Sequence, residues 1–130
     1  MSTHTTNYTD TFIETAEDCK AAEGCAPPTK EPPTAAQIEY ELLIAHPYRY
    51  TSDDVLYAAN GQRRGIRRVD FFAKPQPCFR SSALCKRYGW GVHSNSEGKI
   101  ALYAIGTAEY LRLCRDDSLR HTKALRSGKK

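Results

Sequence analysis

The sequence predicts an α+β domain, and three observations carry that expectation. Two β-prone runs, Trp90-Gly91-Val92-His93-Ser94 and Lys99 to Ile105, flank Asn95-Ser96-Glu97-Gly98, a polar loop whose glycine suits a hairpin, so the sheet is expected to be antiparallel. Capping residues at Thr34 and at Thr51 or Ser52 open helical patterns in the middle of the chain. At 130 residues, 40% hydrophobic and 26% charged, the chain is long enough for one core and too short for two. The expectation is a single compact domain over residues 11–126, with helices packed on one side of a small antiparallel sheet. A flexible start (1–10) and a basic tail (127–130) flank it.

Thr11-Phe12-Ile13-Glu14-Thr15-Ala16 is β-branched and aromatic and reads as a strand. From Glu17 to Pro33 the chain is acidic and then carries Pro27, Pro28, Pro32 and Pro33, which suit a surface connection and exclude a helix. Thr34-x-x-Gln37 has the form of a capping box. Behind it Ile38, Leu42 and Ala45, with Leu43 beside them, make an apolar face that leaves Gln37, Glu39 and Glu41 pointing elsewhere. His46-Pro47 stops this helix, because the residue before proline is pushed out of the α region, and His46 reads as a cation at the negative helix end.

Tyr48-Arg49-Tyr50 is short and extended. The second helix carries Asp53 and Asp54 in its first turn, where two carboxylates suit the positive end and need no catalytic role, and Asn60-Gly61 closes it. Gln62 to Lys74 reads as a third, weaker helix with Arg63, Arg64, Arg67 and Arg68 as a basic ridge, ended by Pro75 and Pro77. Ser81 or Ser82 can cap a short helix through Lys86, and Thr107 one through Cys114. Gly91 inside a strand marks a bulge or a close approach by another group.

No apolar run is long enough to cross a bilayer, and the first residues lack a basic n-region and an apolar h-region, so the expected setting is cytoplasmic. Cys19, Cys25, Cys78, Cys85 and Cys114 form an odd set without C-x-x-C spacing, which reads as free thiols; neither a metal nor a cofactor is expected. Charge is divided along the chain. Residues 1–60 carry 3 Lys+Arg against 10 Asp+Glu and residues 61–130 carry 16 against 5, a net −7 beside a net +11. Either the halves attract each other or the basic half faces an anionic partner.

The stretch from Pro77 to His93 concentrates the side chains capable of chemistry. Leu84, Trp90, Val92 and Cys78 can serve simply as core. Arg80, Lys86 and Arg87 can hold a phosphate or carboxylate while Tyr88 and Trp90 offer a stacking face, with His93 beside them. Cys78 could act as a nucleophile with His93 as its base. The basic half could contact nucleic-acid phosphates. The leading expectation is a binding or regulatory module for a small anionic ligand, with Arg80, Arg87, Tyr88, Trp90 and His93 converging on one pocket. A cysteine-dependent enzyme and a nucleic-acid-binding protein are the alternatives.

Several segments also carry a resemblance. Thr5-Thr6-Asn7-Tyr8 with Thr11-Phe12-Ile13-Glu14, His46-Pro47-Tyr48 with the YTSDDVL run Tyr50–Leu56, and Gln76-Pro77-Cys78 belong to it. So do Lys86-Arg87-Tyr88-Gly89-Trp90-Gly91 with His93, and Lys123-Ala124-Leu125-Arg126-Ser127. Together they resemble a family of small uncharacterised proteins, a domain of unknown function. That resemblance implies no activity, cofactor or catalytic residue. The tyrosine-glycine strand, polar hairpin and Ala101-Leu102-Tyr103 strand with Glu109-Tyr110 are more faintly similar to the small α+β domains of the TfoX and YdhG type, a likeness of fold alone.

Overall fold

Strand β1 (Thr11–Glu14) forms where β-branched and aromatic residues run together, and it is paired on both sides. In the computed structural model, which describes residues 5–126, β1 pairs antiparallel with β2 (Trp90–Ser94), placing Phe12 opposite His93 and Ile13 opposite Val92. β2 continues antiparallel into β3 (Ile100–Ala104) through the expected polar hairpin, where Asn95 Oδ1 accepts from the Glu97 and Lys99 amides. The strand order is β3-β2-β1-β4, with β4 at Arg120–Lys123.

The α+β class holds, but the sheet is mixed. β4 runs parallel to β1, with Thr11 opposite Arg120 and Glu14 opposite Lys123, whereas an all-antiparallel sheet was expected. A parallel partner needs a crossover, and helix α5 (Ala108–Cys114) supplies it. β4 is too polar to register as a strand in the sequence; its backbone pairing alone recruits it. Helices also lie on both faces rather than one. Ile13, Val92 and Ile100 pack into the main core with α1 (Ala35–Ala45), α2 (Ser52–Asn60) and α4 (Ala83–Lys86). Phe12 points the other way, and the α5 residue Tyr110 meets it edge to face with ring centroids 5.1 Å apart. Gly91 makes that contact possible, since a Cβ there would lie 2.7 Å from the Phe12 ring and 2.9 Å from Tyr110.

The helices start as the caps predict. Thr34 Oγ1 accepts from the Gln37 amide (3.2 Å), but the Gln37 side chain binds Glu41 and the Lys30 amide instead of completing the box. Thr51 and Asp54 do form a reciprocal box at α2 (3.2 and 3.0 Å). The face of α1 differs from the expected one: Glu39 and Leu43 are buried, Ile38 and Leu42 only half so, and Ala45 is exposed. Gly61 ends α2 in right-handed rather than left-handed backbone. The third helix breaks at Gly65 (φ 75°) into a 3-10 turn (Gln62–Arg64) and the short α3 (Arg68–Phe71), which splits the basic ridge.

Residues 5–8, expected to be frayed, are held against α2. Asp53 accepts hydrogen bonds from Thr5 Oγ1, Thr6 N and Thr6 Oγ1, each 2.7 Å, and its amide donates to Asn7 Oδ1 (2.9 Å). Residues 1–4 and the tail 127–130 lie outside the described residues. Among the described residues no helix is long and apolar enough to cross a membrane.

Gly91→Ala is expected to destabilise the fold by about 1–3 kcal/mol, the usual penalty for overpacking a filled interior. Urea unfolding measures it. A loss under about 0.5 kcal/mol, typical of surface changes, would mean that α5 does not press on the sheet at this point.

Candidate functional site

The first turns of α1 and α4 carry small or polar residues, Ala35, Ala36, Ser82 and Ala83, where larger apolar side chains would have closed the space between them. A cavity of about 590 Å³ remains, bounded also by Leu56 and Asn60 of α2 and by the segment that leaves α2 at Gly61 and returns at Cys78. Its size suits a small molecule.

Glu39 lines this cavity and is only 3% exposed. Ser82 Oγ donates to Glu39 Oε1 (2.6 Å) and accepts from the Leu84 amide (3.1 Å), so one hydroxyl caps α4 and anchors the carboxyl. Burial pushes the Glu39 carboxyl up to about 7, and the Ser82 hydrogen bond offsets only part of that shift. Near neutral pH Glu39 can therefore carry a proton and donate it in a hydrogen bond. Behind it, burial and the Glu39 charge push the Cys85 thiol well above its usual range.

Cys78 lines the same cavity, with its Sγ 3.3 Å from the Tyr8 hydroxyl. Burial, and then the Cys78 contact, push the Tyr8 phenol up to about 12, against the pull of the nearby Arg80 charge. Arg64 and Lys74 line the cavity from the 61–78 segment, are exposed, and make no ion pair among the described residues. Asp70, also on the lining, is engaged by Arg67 at 3.0 Å. An anion in this cavity therefore meets two exposed cations.

The five residues expected to converge do not. Arg80 Nε donates to the Lys123 carbonyl (2.7 Å) while its own carbonyl accepts from Leu125 (2.8 Å), tying the 3-10 turn Phe79–Ser81 to the end of β4. Arg87 is exposed at the end of α4. Tyr88 and Trp90 hold the acidic loop: the Tyr88 carbonyl accepts from Cys25 N (2.8 Å), Trp90 Nε1 donates to Cys25 O (2.9 Å), and the indole lies against Tyr40 at 5.7 Å. The expected stacking face is thus occupied by the chain itself.

His93 is three residues from Trp90 along β2, which puts it on the opposite face of the sheet. Its Nδ1 lies 2.7 Å from the Tyr48 hydroxyl, which is also 2.7 Å from the Tyr103 hydroxyl. Burial holds His93 below its usual range while Asp116 and Asp10 pull the other way. Tyr48 adopts φ 61°, a left-handed conformation that costs a bulky residue about 1–2 kcal/mol and is pinned here by those two hydrogen bonds. Cys78 and His93 therefore do not form a nucleophile and base. A second, open hollow of about 480 Å³ is lined by α5 and the turn after it, including Arg112 and Arg115, and holds no buried polar group.

Sequence reasoning missed Glu39 and the pair Arg64 and Lys74 as lining residues, and Tyr8 as the partner of Cys78. A signal for Glu39 existed: it precedes Leu43 by four residues, so it shares a helical face with the one leucine of α1 that is fully buried. Neither a curated protein nor a solved structure matches the chain. The resemblance read from the sequence is borne out over residues 3–130, and the chain belongs to DUF6157, a family of unknown function.

Proposed function

We propose that this protein is a binding module for a small anionic ligand, seated in the cavity beside Glu39 rather than between Arg87 and Trp90. The observation that carries it is a nearly fully buried carboxyl lining a cavity that the exposed cations Arg64 and Lys74 also line, neither of them in an ion pair among the described residues. Arg64 offers a planar fork to a phosphate or carboxylate, while a protonated Glu39 donates to the ligand's far end without repelling it. The cysteine-dependent alternative lacks its base, since Cys78 meets Tyr8 and not His93. Nucleic acid is disfavoured because the cavity beside Glu39, about 590 Å³, is too small for a polymer. A cytoplasmic setting belongs to the proposal, since it would keep the five free thiols reduced.

Native mass spectrometry of gently purified protein is expected to show a small-molecule adduct. Ala35→Trp, which fills the cavity from the first turn of α1, should abolish it while leaving the circular dichroism spectrum unchanged. A wild-type protein that flies without an adduct, or an adduct that survives in the filled variant, would sink the proposal. An adduct of oligonucleotide mass would put nucleic acid in its place.

Glu39 also sets a pH dependence. Its folded value lies above the unfolded one, so the folded state holds the extra proton between roughly pH 4.5 and 7, and stability falls as pH rises through that window. The loss attributable to Glu39 between pH 5 and 8 is about 2–3 kcal/mol. His93, whose folded value is depressed, acts with the opposite sign below pH 6.5. Asp54 and Asp116, held below their usual range, act only in stronger acid. Urea unfolding of the wild type against Glu39→Gln isolates the term: the difference between the two proteins should change by that amount across the range, and parallel pH profiles would show that Glu39 is ionised throughout.

A further inference from the structure

The wall of the cavity between Gly61 and Cys78 is built differently from the others. Among the described residues, the backbone hydrogen bonds from 62 to 77 stay inside the segment or reach back only to Gly61: Arg64 and Ile66 donate to the Gly61 carbonyl, Gly65 to Gln62, Phe71 to Arg67 and Phe72 to Arg68. Its only buried side chains are Phe71 and Phe72, which rest on the Tyr57 ring of α2 at 5.6 and 6.5 Å. Side-chain contacts add further attachments, among them the Cys78 thiol with the Tyr8 hydroxyl (3.3 Å). Tyr57 donates to the Ile66 carbonyl (2.5 Å), Arg68 pairs with Asp54 (2.9 Å), and Arg63 reaches across to the Pro33 carbonyl just before α1. A segment with a largely self-contained hydrogen-bond pattern and few buried side chains is the kind of unit that opens without the rest of a fold.

We propose that residues 61–78 form a lid that opens as a unit to admit the cavity's ligand, with the Arg63 to Pro33 hydrogen bond as its latch. The proposal rests on the binding function proposed above. Pro33 adjoins the α1 residues Ala35 and Ala36 on the cavity lining, so the Arg63 bond spans from the lid to the opposite wall. Arg64 and Lys74 ride on the lid, so an anion they capture is brought towards Glu39 as the lid closes.

The cysteines report on this movement. Cys78 is half-buried on the cavity lining, Cys25 is exposed, and Cys85 is wholly buried. In the intact chain, the rate of modification by dithiobis(nitrobenzoate), a bulky aromatic anion, is followed at each thiol by peptide mass analysis. Arg63→Ala should accelerate Cys78 modification roughly three- to tenfold, as expected for loss of one partly exposed charge-assisted hydrogen bond, with Cys25 and Cys85 unchanged. Arg63→Lys, which keeps a donor, should fall between, and Ala35→Trp should slow Cys78 by blocking the route. A Cys78 rate that is unchanged in Arg63→Ala, that rises only together with Cys85, or that is indifferent to Ala35→Trp overturns the lid. An adduct in native mass spectrometry beside an unchanged Cys78 rate would remove the lid and keep the binding site. Selective acceleration without any adduct would keep the lid and remove the ligand.

Discussion

β1 is paired along both edges and carries a large apolar side chain on each face, so neither face can be left to water, and this constraint organises the rest of the fold. Phe12 and Ile13 point to opposite faces and are almost completely buried, each contributing about 2–3 kcal/mol of apolar burial. The parallel pairing with β4 forces a crossover, and the crossover helix α5 lays Tyr110 over Phe12. α1, α2 and α4 then cover the Ile13 face. Three helices placed to cover one short sheet leave their own junction incompletely filled where their first turns are small, and the cavity lies there.

Glu39 breaks the usual rule that an ionisable group is kept out of the interior. Its carboxyl accepts from Ser82, and that hydroxyl is already shared with the α4 cap. Leucine or methionine at this position would fill part of the space and remove the desolvation penalty. Local rules broken at a cost to stability concentrate at functional sites, and this one is broken in the lining of the cavity between α1 and α4.

Features whose causes are local could be read from the sequence. Both long-helix starts followed from Thr34 and Thr51, the hairpin from Gly98, and the tight approach at Gly91 from a glycine inside a strand. β4 could not be read, because Arg120-His121-Thr122-Lys123 has no apolar alternation and is a strand only by virtue of β1. The division of charge was visible, but its neutralisation was not. Among the described residues, Arg68 with Asp54 and Lys123 with Glu17 are ion pairs that join the two halves, and exposed pairs of that kind contribute about 0–1 kcal/mol each. Exposed cations such as Arg64, Lys74 and Arg87 are in no ion pair among the described residues.

The stretch from Pro77 to His93 shows why density of reactive side chains in a sequence is not proximity in a fold. A strand turns successive side chains to opposite faces, so a tryptophan and a histidine three residues apart within β2 cannot share a pocket. Arg80 and Arg87 belong to different short helical turns with Ser82 between them, and the first is spent on the end of β4. What this stretch contributes to the cavity is its least conspicuous part, the thiol of Cys78 and the hydroxyl of Ser82. The rest of the lining comes from their neighbours Pro77, Ser81 and Ala83, from α1 and α2, and from the loop that follows α2. Only the folding of α1 against α4 brings Glu39 to Ser82, across 43 positions of chain, and no local pattern in either helix encodes that meeting.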